Sequence, residues 1–406
     1  MVMWGIDRLS GGQLSAARKR LRSSSSALLS HSAATDRNGN SVLKVLGDLG
    51  IEPSLLLSPE HGFDGVAQAE EPVSSLQDQR EGDVRVLSLY GNDKTSLAPT
   101  AEQLEGIETL VIDLVDVGSR YYTYAWTALM TLRAAAAAGV HSLILDRPNP
   151  LGGNLSTCEG KVQHHDFLSF VGLEPVPIRH GLSLAEMLLL HAKRDGLQLG
   201  PDGAASVIGT WGWERGQLAT AWGRPFIPPS PNMPTLETAL LYPGGCLVEG
   251  TNLSEGRGTS FPFRVIGAPF LDGPALASAL RDALLPGVVA RPICFKPSFE
   301  KHAGQVCNGV MLHVTDPVAF KPVMTYLTLL SLAQTQAPDQ FRFLDRTYEF
   351  ESDRCAFDLL TGSPEVREAM HAGSPASAIC DSLCPIGTEW DDQHEAAQQL
   401  VSEASA

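Results

Sequence analysis

The chain has 406 residues, of which 43% are hydrophobic and 19% charged, and a formal net charge of -16. That length is too great for one core and suits two domains; the composition is that of an ordinary globular protein. The acidic balance, with no basic run long enough to follow a phosphate backbone, excludes a nucleic-acid partner. No apolar run reaches membrane-spanning length, so no membrane partner is expected either. The seven cysteines are scattered, Cys380 and Cys384 forming the one close pair, and read as reduced thiols. The N-terminus shows no signal-peptide pattern. A cytoplasmic location is expected, or a periplasmic or secreted one if an export signal has been trimmed.

In chain order, Leu14 to Leu21 reads as a short helix whose polar face carries Arg18, Lys19, Arg20 and Arg22. Ser26 to Ser30 is a first strand. Asn38 to Leu49 has apolar residues at helical spacing. Ser54 to Leu57 is a buried strand that stops at Pro59, which cannot continue a central ladder. Glu60 and His61 follow directly, and Gly62 and Gly65 let the chain turn back. Val84 to Leu89 is a third strand. Thr109 to Val115 is a fourth, ending in Asp116, Gly118 and Arg120. Tyr121 to Ala138 is helical, with Trp126 and Tyr124 on its core side and Gly139 at its C-terminus. Ser142 to Leu145 is a fifth strand, ending in Asp146, Arg147 and Asn149. Strands of this length alternating with helices predict an α/β fold with a Rossmann-like parallel sheet.

Beyond Pro150 the chain becomes rich in loops. Pro175 to Gly181 is strand-like and ends in Arg179 and His180. Ser183 and Glu186 form a capping box for the next helix. From Pro269 the texture changes to plainer segments, which places a boundary near 265: a catalytic domain over 1–265 and a smaller α/β domain over 266–406. The polar tail beyond Trp390 is expected to end in a frayed helix.

Polar side chains thus gather at strand ends, where open α/β sheets bind ligands. No Gly-x-Gly-x-x-Gly turn or P-loop supports a nucleotide. No histidine or cysteine spacing supports a metal, and Gly-x-Ser-x-Gly, the serine-hydrolase signature, does not occur. No cofactor is expected. What remains is carboxylate chemistry with arginine and aromatic recognition. Paired carboxylates serve glycoside hydrolysis, and Glu60 and Glu159, each flanked by glycine, are the best pair, with His61 beside the first. Arg120, Arg147, Arg179 and Arg257 are candidates to grip an anionic group bidentately. Arg147 is read as paired with Asp146, and Arg257 with Glu249 or Glu255, which ranks Arg120 and Arg179 first.

Long motifs in a fixed order carry a resemblance. They are Ser58 to Phe63, Asp116 to Tyr124, Leu145 to Gly153, Glu159-Gly160, Ser169 to Gly172, Pro177 to Gly181, Gly212 to Glu214, Pro228 to Thr235, Tyr242 to Gly258 and Leu360 to Glu365. Together they resemble the DUF1343, or YbbC-like, family of NamZ-type exo-β-N-acetylmuramidases. The segment Lys161 to Asp166 departs from that pattern. The resemblance implies a Rossmann-like catalytic domain, a smaller second domain, and metal-free release of N-acetylmuramic acid from the non-reducing end of peptidoglycan-derived MurNAc-GlcNAc fragments, in cell-wall recycling. It implies Glu60 and Glu159 as catalytic positions. Substrate contacts fall at Asp116, Arg120, Tyr121, Tyr122, Asp146, Arg147, Asn149, Arg179, His180, Asn232, Glu249, Asn252, Glu255 and Arg257. The alternative is a non-catalytic muropeptide or sugar-acid binding protein. Oligomeric state is left open.

Overall fold

Five short apolar runs become consecutive layers of one buried sheet. The structure, a computed structural model, describes residues 2–12, 14–73, 80–81 and 84–406. Strands β1 (Ser26–Ser30), β2 (Leu55–Ser58), β3 (Arg80–Glu81), β4 (Val84–Ser88), β5 (Thr109–Asp113), β6 (His141–Leu145) and β7 (Ala205–Ile208) form a sheet of order β3-β4-β2-β1-β5-β6-β7. All neighbours run parallel except β3 with β4. β1, β2, β5, β6 and β7 are buried throughout, as strands covered on both faces require. The covering helices are α1 (Gly5–Ser10), α2 (Ser15–Ser23), α3 (Val42–Asp48), α4 (Tyr124–Ala137) and α5 (Leu184–Arg194), and α6 (Leu236–Gly245) packs toward the second part of the chain.

The second part holds an antiparallel sheet of β8 (Val265–Ala268), β9 (Val288–Phe295) and β10 (Cys307–Val314), ordered β8-β10-β9. Its helices are α7 (Gly273–Asp282), α8 (Pro322–Gln336), α9 (Ala356–Thr361), α10 (Glu365–His371), α11 (Ala376–Leu383) and α12 (Glu389–Glu403). Among the described residues no helix is long and apolar enough to cross a membrane.

The expected Rossmann-like sheet is present, with four local corrections. Asn38 to Asn40 are not helical, because Asp36 accepts the amides of Asn38 and Asn40, and α3 starts instead at Val42, capped by Ser41. Tyr121 to Thr123 stay outside α4 as a turn. Pro175 to Gly181 makes only single bridges, Arg179 to Ser119 and to Glu159, while the outer strand is β7, a short run with no strong sequence signal. The tail is not frayed: Trp390 is fully buried, α12 packs on α5, and Ala404 and Ala406 bond to Val207 of β7.

Candidate active site

β2 delivers Glu60 and His61 to a cleft at the carboxyl edge of the large sheet. Pro59 ends the strand, and His61 then adopts a φ of 71°, a left-handed conformation that costs a non-glycine residue energy. The Glu60 carboxylate accepts from Thr123 Oγ1 at 2.6 Å, and the Glu70 amide lies 3.4 Å away. His61 Nδ1 lies 2.8 Å from the Ala67 carbonyl, which can only accept, so that nitrogen carries the proton and Nε2 faces Glu60 at 4.0 Å. Tyr124 ties the Glu60 backbone to the 229 loop through its hydroxyl. The sequence assigned Tyr124 to the core; it is buried there, and its hydroxyl braces the site as well.

The remaining walls come from several later segments of the chain. Tyr121, Tyr122, Asn232, Glu249, Arg257, Tyr348 and Glu349 line the same cleft, with Glu70 at its mouth. Of the eight non-glycine residues at positive φ among the described residues, His61, Glu70, Phe263 and Glu349 are four that line it. Backbone strain of this kind concentrates where side chains are held for function.

The carboxyls divide by environment. Burial works against charge on Glu249, but Arg257, at 2.6 Å, and the Tyr348 hydroxyl, also at 2.6 Å, outweigh it and hold the carboxyl below its ordinary range. Among the described residues, Glu349 receives only the Tyr90 hydroxyl, at 2.9 Å. Burial, then the nearby Glu60 and Glu70, push its pKa well above the carboxylate range. Burial raises Glu70 to about 7, against the pull of Arg346. The cleft therefore presents Glu60 held by a hydroxyl and a buried Glu349 pushed toward its protonated form, two carboxyls in different surroundings. Arg257 is the only Arg or Lys among the described residues that line it.

Several expected site residues are elsewhere. Glu159 accepts from the Val323 and Met324 amides at 3.0 and 2.8 Å, so it anchors the first turn of α8 and is not a partner of Glu60. Arg120 is buried and donates to the carbonyls of Lys161, Val176 and Leu360. Arg179 donates to the Leu151 carbonyl. Both guanidiniums tie loops together outside the cleft. Arg147 pairs bidentately with Asp113, at 2.5 and 3.0 Å, and not with Asp146. Asp146 instead accepts the Ala185 amide at the start of α5. Asn149 holds the Leu182 carbonyl and the Leu151 amide. His180 is buried and kept neutral, its pKa lowered by burial to about 3, with Asp116 3.9 Å away. Asn252 braces the 340–342 segment, and Glu255 pairs with Lys301 behind Arg257.

Those placements carry two expectations. Glu159→Gln should lower stability by about 1–3 kcal/mol, the worth of charge-assisted bonds partly lost. Turnover per folded molecule should not change, which urea melts beside kcat will read. A collapse of kcat at unchanged stability would return Glu159 to the chemistry. Asp146 is raised to about 7, chiefly by burial and then by Glu186. A raised carboxyl favours the folded chain fully below its unfolded value, and that advantage is lost as pH rises through about 7. Asp146→Asn removes this titration. The variant should therefore gain on the wild type by roughly 2–3 kcal/mol between about pH 5 and pH 8. Denaturant melts at the two pH values check it, and an unchanged difference would mean that Asp146 is already ionised at about pH 5.

Two family models match the chain: that of the N-terminal part of the exo-beta-N-acetylmuramidase NamZ over residues 26–237, and that of its C-terminal part over 240–398. The chain belongs to this family. It is 37% identical to the peptidoglycan beta-N-acetylmuramidase NamZ of Bacillus subtilis (strain 168) over 382 residues, 94% of this chain and 87% of that protein. Two solved DUF1343 family proteins from Bacteroides fragilis NCTC 9343 share the fold. One has a TM-score of 0.82 at 26% identity over 98% of both chains. The other has a TM-score of 0.71 at 25% identity over 100% of this chain and 98% of the other.

Of the residues expected from the sequence, Glu60, His61, Tyr121 and Tyr122 at strand ends and Asn232, Glu249 and Arg257 in the later motifs line the cleft; Glu70, Thr123, Ser230, Tyr348 and Glu349 line it without having been expected. Thr123 and Ser230 lie inside motifs already singled out. Glu349 had no such signal, since nothing around Tyr348-Glu349-Phe350 marks it as facing a distant strand end.

Proposed function

We propose that this member of a glycoside hydrolase family is an exo-acting muramidase. It removes N-acetylmuramic acid from the non-reducing end of peptidoglycan fragments of the MurNAc-GlcNAc type, by carboxylate acid/base chemistry. The carrying observation is the pairing of a hydrogen-bonded Glu60 with a buried Glu349, whose surroundings favour its protonated form, in one cleft. In this reading Glu349 protonates the glycosidic oxygen as the sugar leaves, and Glu60 acts at the anomeric carbon as nucleophile or through water as base. His61 orients Glu60 by its fixed ring. Tyr121 and Tyr122 supply flat walls for the sugar. The relative named as a peptidoglycan beta-N-acetylmuramidase supports the substrate class.

N-acetylmuramic acid differs from N-acetylglucosamine by a lactyl ether bearing a carboxylate. A chain of net charge -16 repels that group at long range, so selection rests on a short-range contact. Arg257 replaces Arg120 and Arg179 as the candidate. Its contacts to Glu249 and Glu255 run through Nε and Nη2, which leaves Nη1 for a ligand. Arg257→Lys keeps a positive partner for Glu249 and loses the fork. It should lower kcat/KM on a muramide by about 1.5–3 kcal/mol, the range for a hydrogen bond to a charged group, and leave any weak glucosaminidase activity alone. Proportional loss of both activities would make Arg257 structural.

The overall test is release of chromophore from a chromogenic β-N-acetylmuramide beside the matching glucosaminide. Rapid turnover of the muramide alone is expected. Tight binding of muropeptide with no release of reducing sugar would select the non-catalytic binding protein instead.

A further inference from the structure

The large sheet reverses its strand order between β1 and β5, and the crevice at such a switch point is where doubly wound sheets hold ligands. The Glu60 cleft draws on the segments after β2 and β5, on either side of β1. The switch point also opens on a separate cavity lined by Ala33 after β1, Asp116 after β5 and Arg147 after β6, with Trp4, Trp222 and Phe226 as its ring walls. Trp4 is itself stacked against the Arg147 guanidinium at 4.6 Å and set edge-on to Trp222. Four polar side-chain atoms of its lining residues lack a protein partner: the indole N–H groups of Trp4 and Trp222, one oxygen of Asp116 and one nitrogen of Arg147. Asp116 Oδ2 accepts the Gly118 amide at 2.7 Å, but its Oδ1 makes no bond. Arg147 spends Nε and Nη2 on Asp113 and Thr35, but its Nη1 makes none. Both side chains are more than nine-tenths buried. Buried donors and acceptors left this way cost energy unless something satisfies them.

From this juxtaposition we infer that the cavity is a second sugar site, one that takes the acetamido group of a neutral N-acetylhexosamine. An acetamido group offers an N–H donor and a carbonyl acceptor on adjacent atoms, the complement of Asp116 Oδ1 and Arg147 Nη1. The cavity, about 30 Å³, admits a small substituent and not a whole ring. The ring itself lies at the mouth, where half-buried Trp222 and Phe226 give it flat apolar faces. The choice of an amino sugar rests on the muramidase reading, whose substrates carry N-acetylglucosamine next to the bond that is cut.

Tryptophan emission separates this site from the cleft, because Trp4 and Trp222 line the cavity and no tryptophan lines the cleft among the described residues. Titration of the full chain with N-acetylglucosamine should give a saturable change in emission, and glucose, which lacks the acetamido group, should not. Ala33→Leu fills the cavity and should abolish the change while turnover of the chromogenic muramide persists. Phe226→Ala, a substitution at the rim, should weaken binding by about threefold to tenfold, the worth of one ring contact; it stands in if the filled variant fails to fold. No saturable change, an equal response to glucose, or a response that survives both variants would overturn the inference. Muramide turnover without the emission change sinks this second site alone. Emission change without muramide turnover sinks the muramidase reading alone.

Discussion

Glu60→Gln is expected to remove turnover almost completely while leaving the fold intact. The isosteric amide still accepts from Thr123 Oγ1 and keeps the packing beside His61 and Tyr124. It can neither attack an anomeric carbon nor take a proton from water. Loss of such a group costs roughly 10²–10⁴-fold in rate. The loss should be equal for a nitrophenyl glycoside and for the disaccharide, because a nucleophile or base acts on the sugar whatever its leaving group. Circular dichroism and melting should match the wild type. A variant that is folded and turns over at near-normal rate would take Glu60 out of the mechanism.

Glu349→Gln should behave differently, and the difference identifies the acid. Burial, with Glu60 and Glu70 nearby, pushes this carboxyl toward its protonated form. The wild type should therefore lose activity on its basic side as that proton leaves, and the variant should lack this limb. A sugar alcohol needs a proton to depart and a nitrophenolate hardly does. The variant should fall by roughly 10²–10⁴-fold on the disaccharide and far less on the nitrophenyl substrate. The Tyr90 hydroxyl can still donate to the amide oxygen, so stability should change little. Equal losses on both substrates, with the basic limb retained, would move the acid to another carboxyl, and Glu70, at about 7, is the next to test.

The sequence alone determined the sheet, its carboxyl edge and the family. Buried parallel strands must be continuous apolar runs, so β1, β2, β5 and β6 announce themselves, and Pro59 and Gly62 mark where the chain leaves the sheet. Helix caps are equally local: Ser183 and Glu186 form the capping box that their spacing implies. The sequence also placed Glu60 and His61 at a strand end, because that needs only the next few residues.

Tertiary structure decided which strand-end groups face a cavity and which hold the fold together. A guanidinium is equally suited to a carboxylate ligand and to backbone carbonyls. For Arg120 the choice went to Lys161, Val176 and Leu360, segments whose nearness no local pattern encodes. Glu159 looked like Glu60 in its glycine-flanked setting, yet α8 arrives with two free amides and occupies it. Glu349 reaches the cleft only because the second part of the chain folds back over the sheet edge, and its proton is a property of that burial. Spacing along the chain can say what a side chain is able to bind. Long-range packing brings the partner, and it sets the dielectric that determines the charge.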